Sequence, residues 1–99
     1  IEADIVPACR RYRLGIVSYF PLASGLLSGK YRKGEPPPPD SRFSALPFFA
    51  GVATDENWTI VDKLSDFAAD RDRTLLEWAL GWVASQHETS SVLVGATKP

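Results

Sequence analysis

Two short stretches of this chain carry residue types suited to gripping a phosphate. Ser24-Gly25-Leu26-Leu27-Ser28-Gly29-Lys30 combines two glycines, two hydroxyls and a terminal lysine. Glycine lets backbone N–H groups approach an anion closely, and an ammonium group neutralises its charge. Gly95-Ala96-Thr97-Lys98 has the same character. The spacing of the first stretch is neither G-x-x-x-x-G-K-S/T nor G-x-G-x-x-G. Spacing therefore leaves two readings open, a phosphate cradle and an ordinary glycine-rich connection.

The other residues capable of chemistry read as structural. His87 follows a helix end, where an imidazolium suits the dipole. Cys9 sits on an apolar helix face without an activating neighbour in sequence. Asp62, Asp66 and Asp70 recur every four residues, as a solvated helix face does. Trp58, Trp78 and Trp82 read as packing residues.

The elements that must position the two stretches follow from periodicity and caps. Asp4 is placed to cap a first helix with Pro7 in its first turn, and Ile5, Cys9 and Tyr12 form its apolar stripe. Gly15 reads as its stop. Ile16 to Phe20 is a β-branched and aromatic run closed by Pro21, the pattern of a strand covered on both faces. Ser91 to Val94 is a second such run. Each glycine-rich stretch thus comes soon after a strand.

Between them, residues 31–53 form a long loop or lid. Pro36 to Pro39 exclude helix there, while Phe43, Leu46, Phe48 and Phe49 are too apolar for a solvated linker. Two helices follow. Thr54 opens the first, with Asp55 and Glu56 favoured by its dipole and Trp58, Val61, Leu64 and Ala68 on its buried stripe. Thr74 and Glu77 make a capping box for the second, whose buried face is read as Leu76, Ala79, Leu80 and Val83.

Strand, helical crossover and parallel strand is the repeating unit of α/β folds. Two strands cannot hide both of their apolar faces, and an α/β barrel takes about 250 residues. The 99 residues therefore read as one part of such a barrel. In barrels the functional face lies at the C-terminal ends of the strands, where both glycine-rich stretches would sit side by side.

Composition narrows the function classes. The chain is 44% hydrophobic and 23% charged, normal for a globular protein. Eleven basic against twelve acidic residues give a net charge of -1, no electrostatic case for nucleic acid or an anionic membrane. A single cysteine and no apolar run of roughly 18 residues point to a soluble protein of the reducing cytoplasm, and no signal peptide is visible.

The run from Ser18 to Tyr31, S-Y-F-P-L-A-S-G-L-L-S-G-K-Y, resembles the aldo-keto reductases, particularly the bacterial and potassium-channel β-subunit-like branch. Val6 to Arg10, Gly34 to Pro37 and Val92 to Pro99 resemble them too, in the same order. The resemblance implies the C-terminal part of a (β/α)8 barrel, with Gly15–Phe20 and Ser91–Val94 as strands seven and eight. It implies NADP(H) as cofactor. Pro21, Leu22, Ser24, Ser28 and Lys30 match the loop over the pyrophosphate, and Tyr19 matches the aromatic ring that stacks on the nicotinamide. Arg42 matches a basic contact, while Gly95, Thr97 and Lys98 match the 2′-phosphate site.

Phe20 departs from this pattern, standing where the family usually has serine. The family's catalytic Asp, Tyr, Lys and His belong to earlier strands, and its helix of Gln, Glu and Asn adenine contacts comes later. No catalytic residue is therefore assigned here, and Tyr12, Tyr31, Lys63 and His87 do not fill those roles. The function implied is reduction of aldehydes or ketones by the intact barrel, with a small carbonyl substrate and the N-terminal part of the barrel as partners. The alternative is an NADP(H)-binding, redox-sensing regulatory subunit, channel β-subunit-like and docking on a channel, with little catalysis.

Overall fold

β1 (Ile16–Ser18) and β2 (Thr89–Val92) pair as a parallel two-stranded sheet in the computed structural model, which describes residues 1–95. The ladder aligns Ile16 with Thr89, Val17 with Ser91 and Ser18 with Val92, with an irregularity between Ile16 and Val17. It is extended at both ends. The Ile16 N–H donates to the Glu88 carbonyl at 2.7 Å, and the Leu93 N–H donates to the Ser18 carbonyl at 2.8 Å.

Both strands differ from their expected limits. β1 stops at Ser18 rather than Phe20, because Phe20 takes a left-handed φ of 54° that no ladder tolerates. β2 begins two residues before Ser91 and ends at Val92, so the polar Thr89 and Ser90 fall within the strand, while Leu93 keeps one ladder bond and Val94 lies beyond it. Close backbone approach explains the early start. A Cβ on Gly15 would run into the Ser90 side chain, 2.9 Å from its Cβ. Gly15 therefore serves the sheet and does not stop the helix.

That helix, α1 (Ile5–Tyr12), ends at Arg13, whose φ of 55° is left-handed. The Leu14 N–H then reaches back to the Cys9 carbonyl at 2.9 Å. Asp4 stands at the N-cap but its side chain makes no capping bond. The expected apolar stripe of α1 faces outward, with Ile5 and Tyr12 exposed. An ion pair ties α1 to the turn before β2: Arg10 Nε lies 2.6 Å from Glu88 Oε1, holding the Glu88 carboxyl below its ordinary range.

The crossover between the strands carries the rest of the structure. A 3₁₀ segment (Ala23–Ser28) is followed by α2 (Arg42–Ala45), a second 3₁₀ segment (Pro47–Val52), α3 (Asp55–Ala69) and α4 (Leu75–Ser85). Thr54 caps α3 by accepting the Asn57 N–H at 3.2 Å. Trp58, Val61 and Ala68 are buried, but Leu64 is exposed. The Thr74–Glu77 capping box has both of its bonds, 2.8 and 3.2 Å. Leu75, not Leu76, turns into the core. Ala79 and Val83, one and two turns on, are half-buried with it.

The core lies under the crossover rather than on the sheet. Leu26, Tyr31, Phe43, Trp58, Val61 and Leu75 form it, with Leu27, Phe49 and Val52 packed against it. The accessible surface is 7657 Å². A compact monomer of this mass exposes about 5,600 Å². The radius of gyration is 15.0 Å, against about 12.6 Å for a compact chain of this length. Val17, Trp78, Trp82, Leu93 and Val94 are among the apolar side chains left exposed. As a lone monomer this chain should therefore lack a cooperative thermal transition. Sharp, dispersed amide NMR signals at low concentration would contradict that expectation.

Candidate functional site

The segments that leave β1 and β2 enclose a cleft of about 340 Å³. The strands are parallel, so the cleft lies beyond the C-terminal ends of both. Tyr19, Pro21, Leu22, Ser24, Ser28, Lys30, Arg42 and Gly95 all line it. These are all the sequence-derived site residues that fall in the described part of the chain. Thr97 and Lys98 lie outside the described residues. Phe20, Gly25, Leu93 and Val94 also line the cleft and were not singled out as contacts. For Leu93 and Val94 the signal was misleading, since an apolar run reads as strand.

The loop after β1 wraps this cleft with an unusual backbone. Phe20, Ala23, Ser24, Gly25 and Gly29 have φ of 54°, 47°, 60°, 100° and 78°. The three that are not glycine each cost on the order of 1–2 kcal/mol. Packing and hydrogen bonds hold them in place. Leu26 is buried in the core, and the Ser28 hydroxyl donates to the Gly25 carbonyl at 2.5 Å. The Leu27 N–H donates to the Leu22 carbonyl at 3.1 Å. Glycine is required at 25, where φ is positive and a Cβ would press on the Tyr31 ring at 3.3 Å.

Two cations reach this cleft. Lys30 is exposed, its Nζ 5.2 Å from the Tyr31 ring centre. Arg42 stands on α2, whose position is fixed from both sides. Ser41 caps α2 by accepting the Ser44 N–H, and Phe43 is buried flat against Tyr31, 4.0 Å between ring centres and 8° between planes. The Tyr31 hydroxyl accepts the Phe43 N–H at 3.3 Å. Among the described residues neither Lys30 nor Arg42 pairs with a carboxylate. Lys33 instead pairs with Asp55 at 2.7 Å, anchoring the loop to α3 and holding the Asp55 carboxyl below its ordinary range. Tyr19 is 72% exposed, so its ring face is free to stack.

A glycine-containing loop, two cations without a carboxylate partner among the described residues and an open aromatic ring suit an extended anion with a planar ring at one end. The groups read as structural lie elsewhere. Cys9, His87 and Glu88 surround a separate hollow by the start of the strands, and Asp62 and Asp66 face another between α3 and the loop. Among the described residues no group of three or more His, Cys, Asp or Glu side chains is placed to hold a metal ion. None of the described helices is long and apolar enough to cross a membrane.

The family model of the aldo/keto reductases matches residues 1–99. The chain belongs to the aldo/keto reductase family. It is 39% identical over 102 residues to a protein of Oryza sativa subsp. japonica described as "Probable voltage-gated potassium channel subunit beta". It is 37% identical to an Arabidopsis thaliana protein of the same description. A Glycine max protein described as "Probable aldo-keto reductase 1" is 37% identical over 98 residues. Each comparison covers 99% of this aldo/keto reductase chain, but only 30%, 30% and 28% of the respective relatives. The family implies a (β/α)8 barrel, and the parallel β–α–β arrangement here is of the α/β class that such a barrel requires.

Proposed function

We propose that this chain provides the cofactor grip of an NADP(H)-dependent oxidoreductase that reduces aldehydes or ketones. In this reading β1 and β2 are the seventh and eighth strands of the barrel, and an N-terminal part completes it. One observation carries the reading: the eight described residues that the family resemblance assigns to the cofactor all line a single cleft, and its two cations, Lys30 and Arg42, pair with no carboxylate among the described residues.

The residues fit the cofactor in chemical type. Lys30 and Arg42 would neutralise the pyrophosphate, residues of the Pro21–Lys30 loop would supply its further contacts, and Tyr19 would offer its ring to the nicotinamide. Gly95, Thr97 and Lys98 take the 2′-phosphate. Bound NADPH supplies the hydride that a carbonyl carbon accepts. The acid that protonates the forming alkoxide belongs to the earlier strands. This segment therefore binds and orients, and moves no proton. Aldehydes and ketones as substrates, and the cytoplasm as location, follow from the same reading.

The rice and Arabidopsis relatives are named as potassium channel β subunits, which supports a second reading for this chain, a channel β-subunit-like regulatory subunit that would hold NADP(H) and sense redox state with little turnover. One experiment separates the two. The full-length protein is mixed with NADPH and a generic aldehyde, and both binding and oxidation of NADPH are followed. The reductase reading expects turnover; the regulatory reading expects tight binding without it. The isolated 99-residue chain should show no turnover in either case. Turnover by that chain, abolished by changing Tyr31 or His87, would overturn the assignment of catalysis to other strands.

A further inference from the structure

Phe20 and Phe49 come from separate segments yet meet over one cation. Phe20 follows β1, and Phe49 lies on the 3₁₀ segment Pro47–Val52. Their ring centres are 5.8 Å apart with the planes tilted by 43°. The guanidinium carbon of Arg42 lies 5.5 Å from the centre of the Phe20 ring and 5.2 Å from that of Phe49. Both distances fall within the roughly 6 Å over which a ring face attracts a guanidinium group. Outer rings extend the cluster: Tyr19 tilts against Phe20 at 5.2 Å, and the exposed Phe48 meets Phe49 edge-on at 5.7 Å.

The backbone of Arg42 has little freedom of its own. The Ser41 cap precedes it and the buried Phe43–Tyr31 stack follows it. What remains is the long side chain, which lacks a carboxylate partner among the described residues. Two ring faces are the groups that hold it at the cleft wall. A serine at position 20 would leave only one. A leucine would fill much of the space but would have no ring face for the cation.

We infer that Phe20 is a positioning residue for Arg42. Together with Phe49 it orients the guanidinium at the cleft before any ligand arrives, and it latches residues 42–52 to the loop after β1. The effect on ligand affinity rests on the proposed reading of the cleft as an NADP(H) site. The latch itself is a property of the ligand-free protein.

The test uses the full-length protein in two states. Without ligand, the Arg42 side-chain Nε–H should carry a ring-current NMR shift, and the peptide bonds of 42–52 should resist protease. Phe20→Leu should reduce the shift and speed cleavage there, while Phe20→Tyr should preserve both. With NADPH or inorganic pyrophosphate as probe, Phe20→Leu should weaken binding by about two- to fivefold. Phe20→Tyr should bind as the unaltered protein does. In an Arg42→Ala background, Phe20→Leu should add nothing.

An unchanged Arg42 shift and cleavage rate in Phe20→Leu would overturn the inference. So would an equal loss of affinity with and without Arg42, since Phe20 would then be acting on its own. If no form binds NADPH or pyrophosphate, the cleft reading fails, while the ligand-free shift still decides the latch.

Discussion

Phe43→Ala should lower the unfolding free energy by about 3–5 kcal/mol, the cost of truncating a buried aromatic ring. Phe43 is 7% exposed and Tyr31 is 6%, and their rings stack at 4.0 Å. Removing one ring leaves a cavity walled by the other, while the backbone N–H that donates to the Tyr31 hydroxyl remains. The same stack holds α2 in the core, so Arg42 should lose its position as well. Urea unfolding of the full-length protein measures the effect as a fall in midpoint at constant m-value. Phe48→Ala is the contrast. Phe48 is 90% exposed, so the expected change is within about 0.5 kcal/mol. A loss below about 1 kcal/mol for Phe43→Ala would mean that the stack does not organise this region.

α3 and α4 were legible because their signals are local, whereas α2 and the second 3₁₀ segment lie within residues 31–53, read as a loop. Thr54 and the Thr74–Glu77 pair fix the starts of α3 and α4 within one turn of sequence. The strand limits were not, because they depend on partners far along the chain. Phe20 has the composition of a strand residue, yet the loop it begins forces it to a left-handed backbone. Thr89 and Ser90 lack the composition of a buried strand, yet Thr89 pairs with Ile16 and Ser90 sits at the irregularity beside Gly15.

Residues 31–53 show the same division. Their prolines and aromatics gave notice of a segment packed on something. The partner of Phe43, however, is Tyr31, twelve residues earlier, and no periodic pattern links the two. The cleft was readable by residue type, as glycines and lysines after strands, but spacing alone left it undecided. The family resemblance supplied the assignments of Tyr19 and Arg42. Phe20, by contrast, reads from sequence only as a departure from the family's usual serine. Its relation to Arg42 required the fold of a distant segment onto the loop.

Lys98→Ala should separate two cofactors that differ by one group. NADP(H) carries a 2′-phosphate that NAD(H) lacks, with nearly two negative charges near pH 7. A charge-assisted contact to such a group contributes roughly 1.5–3 kcal/mol, or about 10- to 150-fold in affinity. The family resemblance matches Lys98 to that phosphate and Lys30 to the pyrophosphate that both cofactors share. Lys98→Ala should therefore weaken NADPH binding, leave NADH binding nearly unchanged, and narrow the preference by roughly tenfold or more. Lys30→Ala should weaken both cofactors by a similar factor.

Titration of NADPH and NADH, followed by fluorescence, into the full-length protein and these two variants tests the cofactor cleft most directly. Ionic strength must be held fixed, because salt screens exposed contacts of this kind. A cofactor-gripping cleft predicts a loss confined to NADPH for Lys98→Ala and a shared loss for Lys30→Ala. Unchanged affinity for both cofactors in Lys30→Ala, or an equal loss for both in Lys98→Ala, would contradict it.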